Sequence, residues 1–281
     1  MKKSRLLFLT SALAVMAAMV LVACGGDDSS SDTSSTGGGD VSSELITAGT
    51  LTVGSDIPFP PFEFGKAPDY EGFDIDLVNG IAKDLDLEVV IKDTSFDTIF
   101  TDVAQGKFDM AASASTITPE REQQVDFSDP YYEAEQALLV SEGSDITSVE
   151  DLAGLTVGAQ DGTTGEAYAN DETDAGSVRG FPNGPAAIAA LQNGQVEATI
   201  IDQPVAQDAI DKGQGGFELA TTIPTGELYG LAFSQDSPAL LAAVNKSLAS
   251  MKTDGRLNDL YQKWFKIDAP KGVINGTNTP K

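Results

Sequence analysis

The chain has 281 residues, with 43 acidic and 17 basic side chains, no histidine and one cysteine. This composition excludes Ser-His-Asp catalysis, Cys-His pairs and zinc sites built on histidine or several cysteines. The net charge of −26 argues against nucleic acid as a partner. The length accommodates two domains or one large domain.

The first 23 residues have the pattern of an export signal. Three basic residues precede an apolar stretch at residues 6–22, which ends in Leu21-Val22-Ala23-Cys24-Gly25. This ending resembles the bacterial lipobox, in which the signal peptide (residues 1–23 here) is removed before a cysteine. Lipid on Cys24 would hold the protein to the outer face of the cell membrane. A transmembrane anchor is the alternative, because about 17 apolar residues reach the lower limit of a membrane span.

The next stretch is rich in glycine, serine, aspartate and threonine and has almost nothing to bury. Residues 24–43 are therefore predicted to be the lipidated cysteine followed by a flexible linker.

The folded part is predicted to alternate strands and helices. Leu51–Ser55 is expected to be a strand, followed by a proline-stiffened loop at residues 56–64. Apolar side chains recur at helical spacing between Phe73 and Leu85. The next predicted elements are a strand at residues 88–92, a helix at 96–104 and a strand at 108–112.

A turn rich in hydroxyl side chains follows at residues 113–116. Thr118 is a good N-cap and Pro119 suits the first helical position, so Arg121 is expected in the first turn of a helix. A cation is unfavourable at that end of a helix, and a guanidinium matches a carboxylate bidentately. We therefore expect Arg121 to bind an anion from outside. The alternative is a surface arginine paired with a neighbouring glutamate.

The second half of the chain repeats the pattern of the first. Leu155-Thr-Val-Gly-Ala-Gln-Asp161 echoes Leu51-Thr-Val-Gly-Ser-Asp56, and residues 193–198 echo residues 105–110. Two halves of alternating strands and helices predict two α/β lobes with parallel sheets covered by helices on both faces. The later predicted elements are a short helix at 148–154, a helix from 166, a strand at 196–201, a helix after 204, strands at 217–223 and 229–234, helices at 238–253 and 256–265, and a loose tail at 267–281.

In open parallel sheets, ligands bind beyond the carboxyl ends of the strands. The residues expected there are Asp56, Phe59, the turn at 113–116, the loop at 161–165 and Asp202. One arginine, one aspartate and aromatic walls would suit a zwitterion. An N-cap for the following helix is the alternative role of Asp202. No metal site is predicted, because the acidic residues after Gly72 lack the glycine and the terminal glutamate of a calcium loop.

Several motifs together resemble one family. They are Pro61-Phe-Glu-Phe64, Gly72-Phe-Asp-Ile-Asp-Leu77, Thr116-Ile-Thr-Pro-Glu-Arg121, Asp126-Phe-Ser-Asp-Pro-Tyr131 and Leu260-Tyr-Gln-Lys-Trp-Phe265. Over residues 44–266 the chain is similar to the family-3 extracellular solute-binding proteins of ABC transporters, in the amino-acid-binding group.

The resemblance implies an α/β, periplasmic-binding-protein-like fold. Two lobes joined by a two-stranded hinge would enclose the ligand cleft. Lobe 1 would comprise residues 44–130 plus 230–266, and lobe 2 residues 136–225, with a loose tail at 267–281. The two crossings would lie near residues 130–135 and 225–229.

The resemblance also implies roles for individual residues. Arg121, helped by Thr116, would clamp the α-carboxylate of the ligand, and Asp202 would hold its α-ammonium group. The other implied contacts are the aromatic rings of Phe59 and Phe96, Thr164 of the second lobe, Ser113, Gln160 at a position that varies with the ligand side chain, and Ala114 where relatives have glycine or serine. Phe96 could equally belong to the core.

Asp56 would add a second carboxylate facing the ligand side chain. This carboxylate favours a polar neutral or basic amino acid over an acidic one. The alternative is that Asp56 caps the proline-rich loop.

The predicted function is a lipid-anchored, monomeric receptor that delivers an amino acid to the permease subunits of an ABC transporter and needs no cofactor. The alternative is a cleft enzyme of the same fold, such as a dehydratase or a peptidoglycan lyase. Its general acid or base would be Glu63, Glu166 or Asp202, none of which is expected beside a second titratable group.

Overall fold

The computed structural model describes residues 41–213 and 215–277. The predicted signal peptide, Cys24 and most of the predicted linker lie outside the described residues. Within those ranges, no helix combines the length and the apolar character that crossing a membrane requires.

The described chain alternates strands and helices, as the sequence predicts. The strands are β1 Thr50–Ser55, β2 Phe64–Lys66, β3 Asp69–Glu71, β4 Glu88–Asp93, β5 Met110–Ala111, β6 Asp126–Phe127, β7 Tyr132–Ser141, β8 Thr156–Gln160, β9 Ser177–Phe181, β10 Ala198–Asp202, β11 Phe217–Tyr229 and β12 Ala232–Phe233. The helices are α1 Phe73–Asp84, α2 Phe96–Ala104, α3 Thr164–Asp171, α4 Gly184–Gln192, α5 Gln203–Asp211, α6 Pro238–Asp254, α7 Arg256–Trp264 and α8 Lys271–Asn275. Single 3-10 turns occur at Val41–Ser43, Arg121–Gln123 and Val149–Leu152.

The first lobe is built on a five-stranded sheet with the order β4-β1-β5-β12-β6. Strand β1 pairs in parallel with β4 and β5, whereas β12 is antiparallel to β5 and β6. Leu51 and Val53 are fully buried on β1, which explains why an apolar alternation begins the folded part. The sheet is therefore mixed rather than parallel throughout, because the chain returns from the second lobe to add β12.

The second lobe repeats this plan in a five-stranded sheet with the order β11-β7-β10-β8-β9. Strand β8 pairs in parallel with β9 and β10, and β7 is antiparallel to its neighbours. The sequence echo between β1 and β8 thus corresponds to equivalent strands. The prediction of two α/β lobes is confirmed, with the same departure from an all-parallel sheet.

Two adjacent strands connect the lobes. Strand β7 leads from the first sheet to the second, and β11 leads back towards β12. Their antiparallel register pairs Tyr132 with Tyr229 and Ala134 with Glu227, and a bulge follows between Ile223 and Glu227. This bulge keeps β11 paired through Tyr229, so the strand predicted at 217–223 is longer than expected. The strand predicted at 229–234 is the shorter β12, Ala232–Phe233.

Several predicted boundaries also differ. Strand β5 is short because its parallel pairing with β1 covers only Met110 and Ala111. The predicted loose tail forms α8 in its described part, where Val273 is buried in the hydrophobic core that also contains Leu51 and Leu77. At the other end, the 3-10 turn at Val41–Ser43 replaces the last residues of the predicted flexible linker, and Val41 packs against the same core.

The Gly72 motif owes its glycine to backbone geometry. Gly72 has a φ of 137°, and a Cβ there would lie 1.9 Å from the carbonyl oxygen of Phe62. This close approach lets the Asp74 N–H donate to the Phe62 carbonyl oxygen at 3.0 Å. Helix α1 therefore begins against the proline-rich loop, and Asp74 enters the protein interior.

Candidate ligand-binding cleft

One cavity of about 300 Å³ lies between the two sheets. All ten residues that the sequence predicts as ligand contacts line it, together with Thr163. The lining residues are Asp56, Phe59, Phe96, Ser113, Ala114, Thr116, Arg121, Gln160, Thr163, Thr164 and Asp202.

The carboxyl ends of the strands supply most of this lining, which is why the sequence could predict it. Asp56 follows β1, Ser113 comes two residues after β5, and Gln160 and Asp202 end β8 and β10. Thr164 begins α3, where Thr163 accepts a hydrogen bond from the Glu166 N–H at 3.1 Å as the N-cap.

The Arg121 side chain spans the cleft. It donates to the carbonyl oxygen of Thr116 at 2.7 Å and to that of Gly162 on the second lobe at 3.1 Å. Its guanidinium carbon lies 5.2 and 4.7 Å from the ring centroids of Phe96 and Phe100. The alternative of a surface arginine paired with a neighbouring glutamate is therefore not what the structure describes.

The backbone around Arg121 differs from the prediction. Arg121 begins a three-residue 3-10 turn and not an α-helix, although its N–H does donate to the Thr118 hydroxyl at 3.2 Å. Such a short turn has little dipole, so the argument that a helix end repels this cation is wrong. Burial lowers the pKa of Arg121 to about 10, and the charges of Glu227 and Asp202 oppose this shift.

Asp202 lies across the cavity from Arg121, on the second sheet. Its carboxylate accepts a short hydrogen bond from the Gln136 amide. Burial raises the pKa of Asp202 to about 7, and the neighbouring Glu227 adds to this shift. Asp202 precedes α5 but its side chain makes no capping hydrogen bond, so the N-cap alternative is wrong.

Glu227 is the main polar group that the sequence analysis missed. Its Oε2 accepts from the hydroxyls of Thr116 at 2.5 Å and Thr164 at 2.7 Å, while its Oε1 accepts from Gln136 at 3.1 Å. One carboxylate on the hinge thus connects both lobes. The only sequence signal was its position within the predicted second crossing.

Asp56 and Gln160 form another bridge between the lobes. The Gln160 amide donates to Asp56 Oδ2 at 2.6 Å, and Asp56 is only 6% exposed. Burial raises the pKa of Asp56 to about 6, which the Gln160 hydrogen bond opposes and the Asp93 charge increases. The loop amide of Ile57 donates to Asp93 instead, at 3.3 Å. Asp93, and not Asp56, therefore caps the start of the proline-rich loop.

Two phenylalanines form apolar walls. A Cβ on Gly184 of the second lobe would lie 2.9 Å from the Phe59 ring, so Phe59 packs closely on the start of α4. Phe96 lines the cavity and also belongs to a core cluster with Ile99 and Val103. Phe96 is therefore a core residue whose ring also lines the candidate cleft.

The backbone between Ser113 and Ala114 is held from behind. The Ser113 hydroxyl accepts from the Asp56 N–H at 3.0 Å and donates to Glu63 at 2.8 Å, so its hydrogen is already used. Ala114 has a φ of 43°, and its N–H donates to Asp74 at 2.8 Å. The Ser113 carbonyl oxygen accepts from the Ser115 hydroxyl at 3.2 Å, so the hydroxyl oxygen and the carbonyl oxygen of Ser113 each keep one lone pair for a ligand ammonium.

The expectation that no candidate acid or base has a titratable neighbour is wrong. Glu63 is electrostatically coupled to Asp74, and Asp202 to Glu227. The third candidate, Glu166, accepts from the Gly162 N–H at 2.8 Å near the surface. These neighbours are distant in sequence, so no spacing could indicate them.

Comparison with known proteins agrees with the family resemblance that the sequence motifs indicate. The family model of bacterial extracellular solute-binding proteins, family 3, matches residues 51–267. The ABC transporter glutamine-binding protein GlnH of Bacillus subtilis (strain 168) is 38% identical over 202 residues, covering 70% of this chain and 74% of that protein.

Two solved structures are similar over most of the chain. An ancestral arginine-binding protein bound to glutamine is 40% identical with a TM-score of 0.75, covering 79% of this chain and 100% of that chain. An ancestral amino acid-binding protein, AncCDT-1, a precursor of cyclohexadienyl dehydratase, is 39% identical with a TM-score of 0.71, covering 77% of this chain and 95% of that chain.

Proposed function

The chain belongs to family 3 of the bacterial extracellular solute-binding proteins, and we propose that it binds an amino acid outside the cytoplasm and delivers it to the permease of an ABC transporter. GlnH, an ABC transporter protein by name, supports the transport role. The similar solved structures are named as amino-acid-binding proteins.

The observation that carries this proposal is the opposition of Arg121 and Asp202 across one small cavity. Arg121 belongs to the first lobe and Asp202 to the second. A ligand α-carboxylate on the Arg121 fork and an α-ammonium on Asp202 would each gain a charge-assisted hydrogen bond. A zwitterion contacting both lobes stabilises their closed arrangement, since it binds that state better than an open one.

The charges at the cavity favour a polar neutral or basic ligand. Asp56, Asp202 and Glu227 face one arginine, so an acidic side chain would meet uncompensated negative charge. Asp56 and Gln160 offer an acceptor and an amide to the far end of the ligand. The ancestral arginine-binding protein is described with glutamine bound, which is consistent with this class.

The remaining proposals concern attachment and organisation. Cys24 is the proposed lipidation site, at the end of a signal peptide of residues 1–23. The lobes are proposed to comprise residues 44–130 plus 230–266 and residues 136–225. The receptor is proposed to act as a monomer.

A cleft enzyme is the second candidate function. Two observations favour it: the raised pKa of Asp202, about 7, and the similarity to a precursor of a dehydratase. A general acid or base works best when its pKa lies near the operating pH. Against this, AncCDT-1 is itself named as a binding protein, and the Asp202 carboxylate accepts a hydrogen bond from the Gln136 amide.

A thermal-shift screen over the standard amino acids and ornithine tests the proposal, because a ligand that binds only the folded state raises its melting temperature. Calorimetry on each hit should give a stoichiometry of one per chain. Mass spectrometry of the incubated ligand should return it unchanged. No shift with any amino acid contradicts the receptor, whereas conversion of the ligand supports the enzyme.

A further inference from the structure

Two carboxyl groups lie directly behind the cavity. They take no part in the proposed ligand contacts. Glu63 and Asp74 are both fully buried. They belong to the motifs Pro61-Phe-Glu-Phe64 and Gly72-Phe-Asp-Ile-Asp-Leu77, which the sequence analysis used only to identify the family. Burying carboxyl groups is costly unless they are paired or protonated, so their presence requires an explanation.

Each carboxyl holds one of two successive cavity-lining residues. Glu63 Oε1 accepts from the Ser113 hydroxyl at 2.8 Å, and Asp74 Oδ2 accepts from the Ala114 N–H at 2.8 Å. The φ of 43° at Ala114 is unfavourable for a residue with a Cβ. The segment therefore needs external contacts to keep its conformation, and these two carboxyls supply them.

The remaining oxygen of each carboxyl has no hydrogen-bond partner. Glu63 Oε2 and Asp74 Oδ1 are both buried and unpaired among the described residues. The two residues are neighbours in space, since the Asp74 N–H donates to the carbonyl of Phe62, the residue before Glu63. The Asp74 charge acts on Glu63, so the two carboxyls disfavour ionising together, and a pair of this kind retains one proton.

The groups around the pair provide no compensating positive charge. Asp56 and Asp202 act on Glu63 from the ends of β1 and β10. The phenols of Tyr131, Tyr132 and Tyr261 face Asp74, and Tyr131 donates to its Oδ2 at 2.8 Å. Neither carboxyl takes part in a salt bridge within the described ranges. A proton is therefore the available counter-charge.

We propose that Glu63 and Asp74 share one proton, and that this pair is a positioning device that holds Ser113 and Ala114 in the conformation required for ligand binding. The inference rests on the proposed function, because it assigns the pair to the same cleft. Loss of the shared proton would place two adjacent carboxylates in a dry site. Their repulsion would then displace the Ser113–Ala114 segment and weaken binding.

The direction of the pKa shifts agrees with this arrangement. Burial raises the pKa of Asp74 to about 7. Burial and then the Asp74 charge raise the pKa of Glu63 well above its ordinary value. Two carboxyls that share one proton titrate in two steps and hold no proton above the upper step.

The first experiment needs no ligand. Carboxyl-labelled protein is titrated by ¹³C NMR, and the Ala114 amide is followed in the same samples. In the wild type, the Glu63 and Asp74 signals should move together in two steps, with the Ala114 amide shifting at the upper step. In Glu63→Gln, whose amide replaces the shared proton, Asp74 should titrate in one step at lower pH. Independent titration of the two carboxyls overturns the shared proton.

The second experiment measures the dissociation constants of arginine and glutamine across alkaline pH by calorimetry. Above the upper step, wild-type affinity should fall about tenfold per pH unit relative to Glu63→Gln, because one proton is lost. Titration of the ligand and of Asp56 or Asp202 is common to both proteins and cancels in the ratio. Glu63→Met removes the acceptor and the proton, and should bind at least about tenfold more weakly at every pH.

The controls separate this proposal from the proposed function. Glu88→Gln changes an exposed glutamate of the same lobe and should keep the wild-type profile. If Glu63→Gln does not fold, Asp74→Asn provides the same comparison, since its amide can donate to Glu63. A pH-independent ratio overturns the positioning role. If neither amino acid binds the wild type, the proposed ligand class fails, and the NMR titration still decides the shared proton.

Discussion

Replacement of Arg121 by methionine tests the centre of the proposed site. Methionine keeps length and apolar bulk over Phe96 and Phe100 but removes the two hydrogen bonds to Thr116 and Gly162. It also removes the cation that faces Asp202. We therefore expect the variant to fold and to bind its amino acid poorly.

The expected loss follows from the geometry. Truncating one partner of a buried, hydrogen-bonded charge pair costs about 2–5 kcal/mol. Each 1.4 kcal/mol is a factor of ten, so affinity should fall at least about thirtyfold. Arg121→Lys keeps the charge without the planar fork and should lose less, because one ammonium cannot make both parallel bonds to a carboxylate.

Isothermal calorimetry with the ligand from the thermal-shift screen measures this loss. Arg179→Met is the matched control, since Arg179 is exposed and lies over a phenylalanine ring, with 4.9 Å to the centroid, outside the cavity. The control should bind like the wild type. Near-wild-type binding by Arg121→Met would refute the carboxylate clamp.

Three further changes test the anchor, the closed arrangement and the hinge carboxylate. Cys24→Ser should leave an uncleaved or shed precursor, and mature-size protein in detergent extracts would exclude Cys24 as the anchor. Gly184→Val should displace Phe59, weaken binding about tenfold and lower the melting temperature, since a Cβ would lie 2.9 Å from that ring; unchanged affinity would contradict this contact. Glu227→Leu removes the acceptor of the Thr116 and Thr164 hydroxyls, so the ligand-free protein should be more open. Small-angle scattering should then give a larger radius of gyration, and an unchanged value would count against Glu227 as a link between the lobes.

Much of the architecture could be predicted because its signals are local. The echo between residues 51–56 and 155–161 identified equivalent strands. Because ligands bind beyond the carboxyl ends of such strands, the residues that line the cavity could then be predicted. Caps and glycines fixed helix ends, as at Gly255, whose φ of 90° separates α6 from α7.

The unpredicted features depend on long-range pairing. Glu227 reaches the cleft because β11 pairs with β7 through a bulge, and no local pattern encodes that register. Asp74 meets Glu63 because the backbone at Gly72 comes against Phe62. Thr118 accepts from the Arg121 N–H as its N-cap signal predicts, but the turn covers only Arg121–Gln123 and does not continue as an α-helix.

Asp56 links the stability of the protein to its choice of ligand. Its pKa rises from 3.8 to about 6, mainly through burial, so the folded state binds this proton more tightly than the unfolded state. Stability should therefore fall as pH rises from about 4 to 6, by at most about 3 kcal/mol. Asp56→Asn should raise the melting temperature of the ligand-free protein at neutral pH but not at about pH 4. Equal shifts at both pH values would contradict this reasoning.

The same ionisation should select the ligand. Above about pH 6 the Asp56 carboxylate is charged, and a cationic side chain between the rings of Phe59 and Phe96 would neutralise it. Arginine affinity should therefore increase from about pH 5 to 7, while glutamine affinity changes less. Asp56→Asn should weaken arginine more than glutamine and remove most of that pH dependence. Acidic amino acids should bind most weakly, because their side-chain carboxylate would lie beside Asp56. If calorimetry shows that glutamate or aspartate binds the wild type with the highest affinity, Asp56 does not face the ligand side chain.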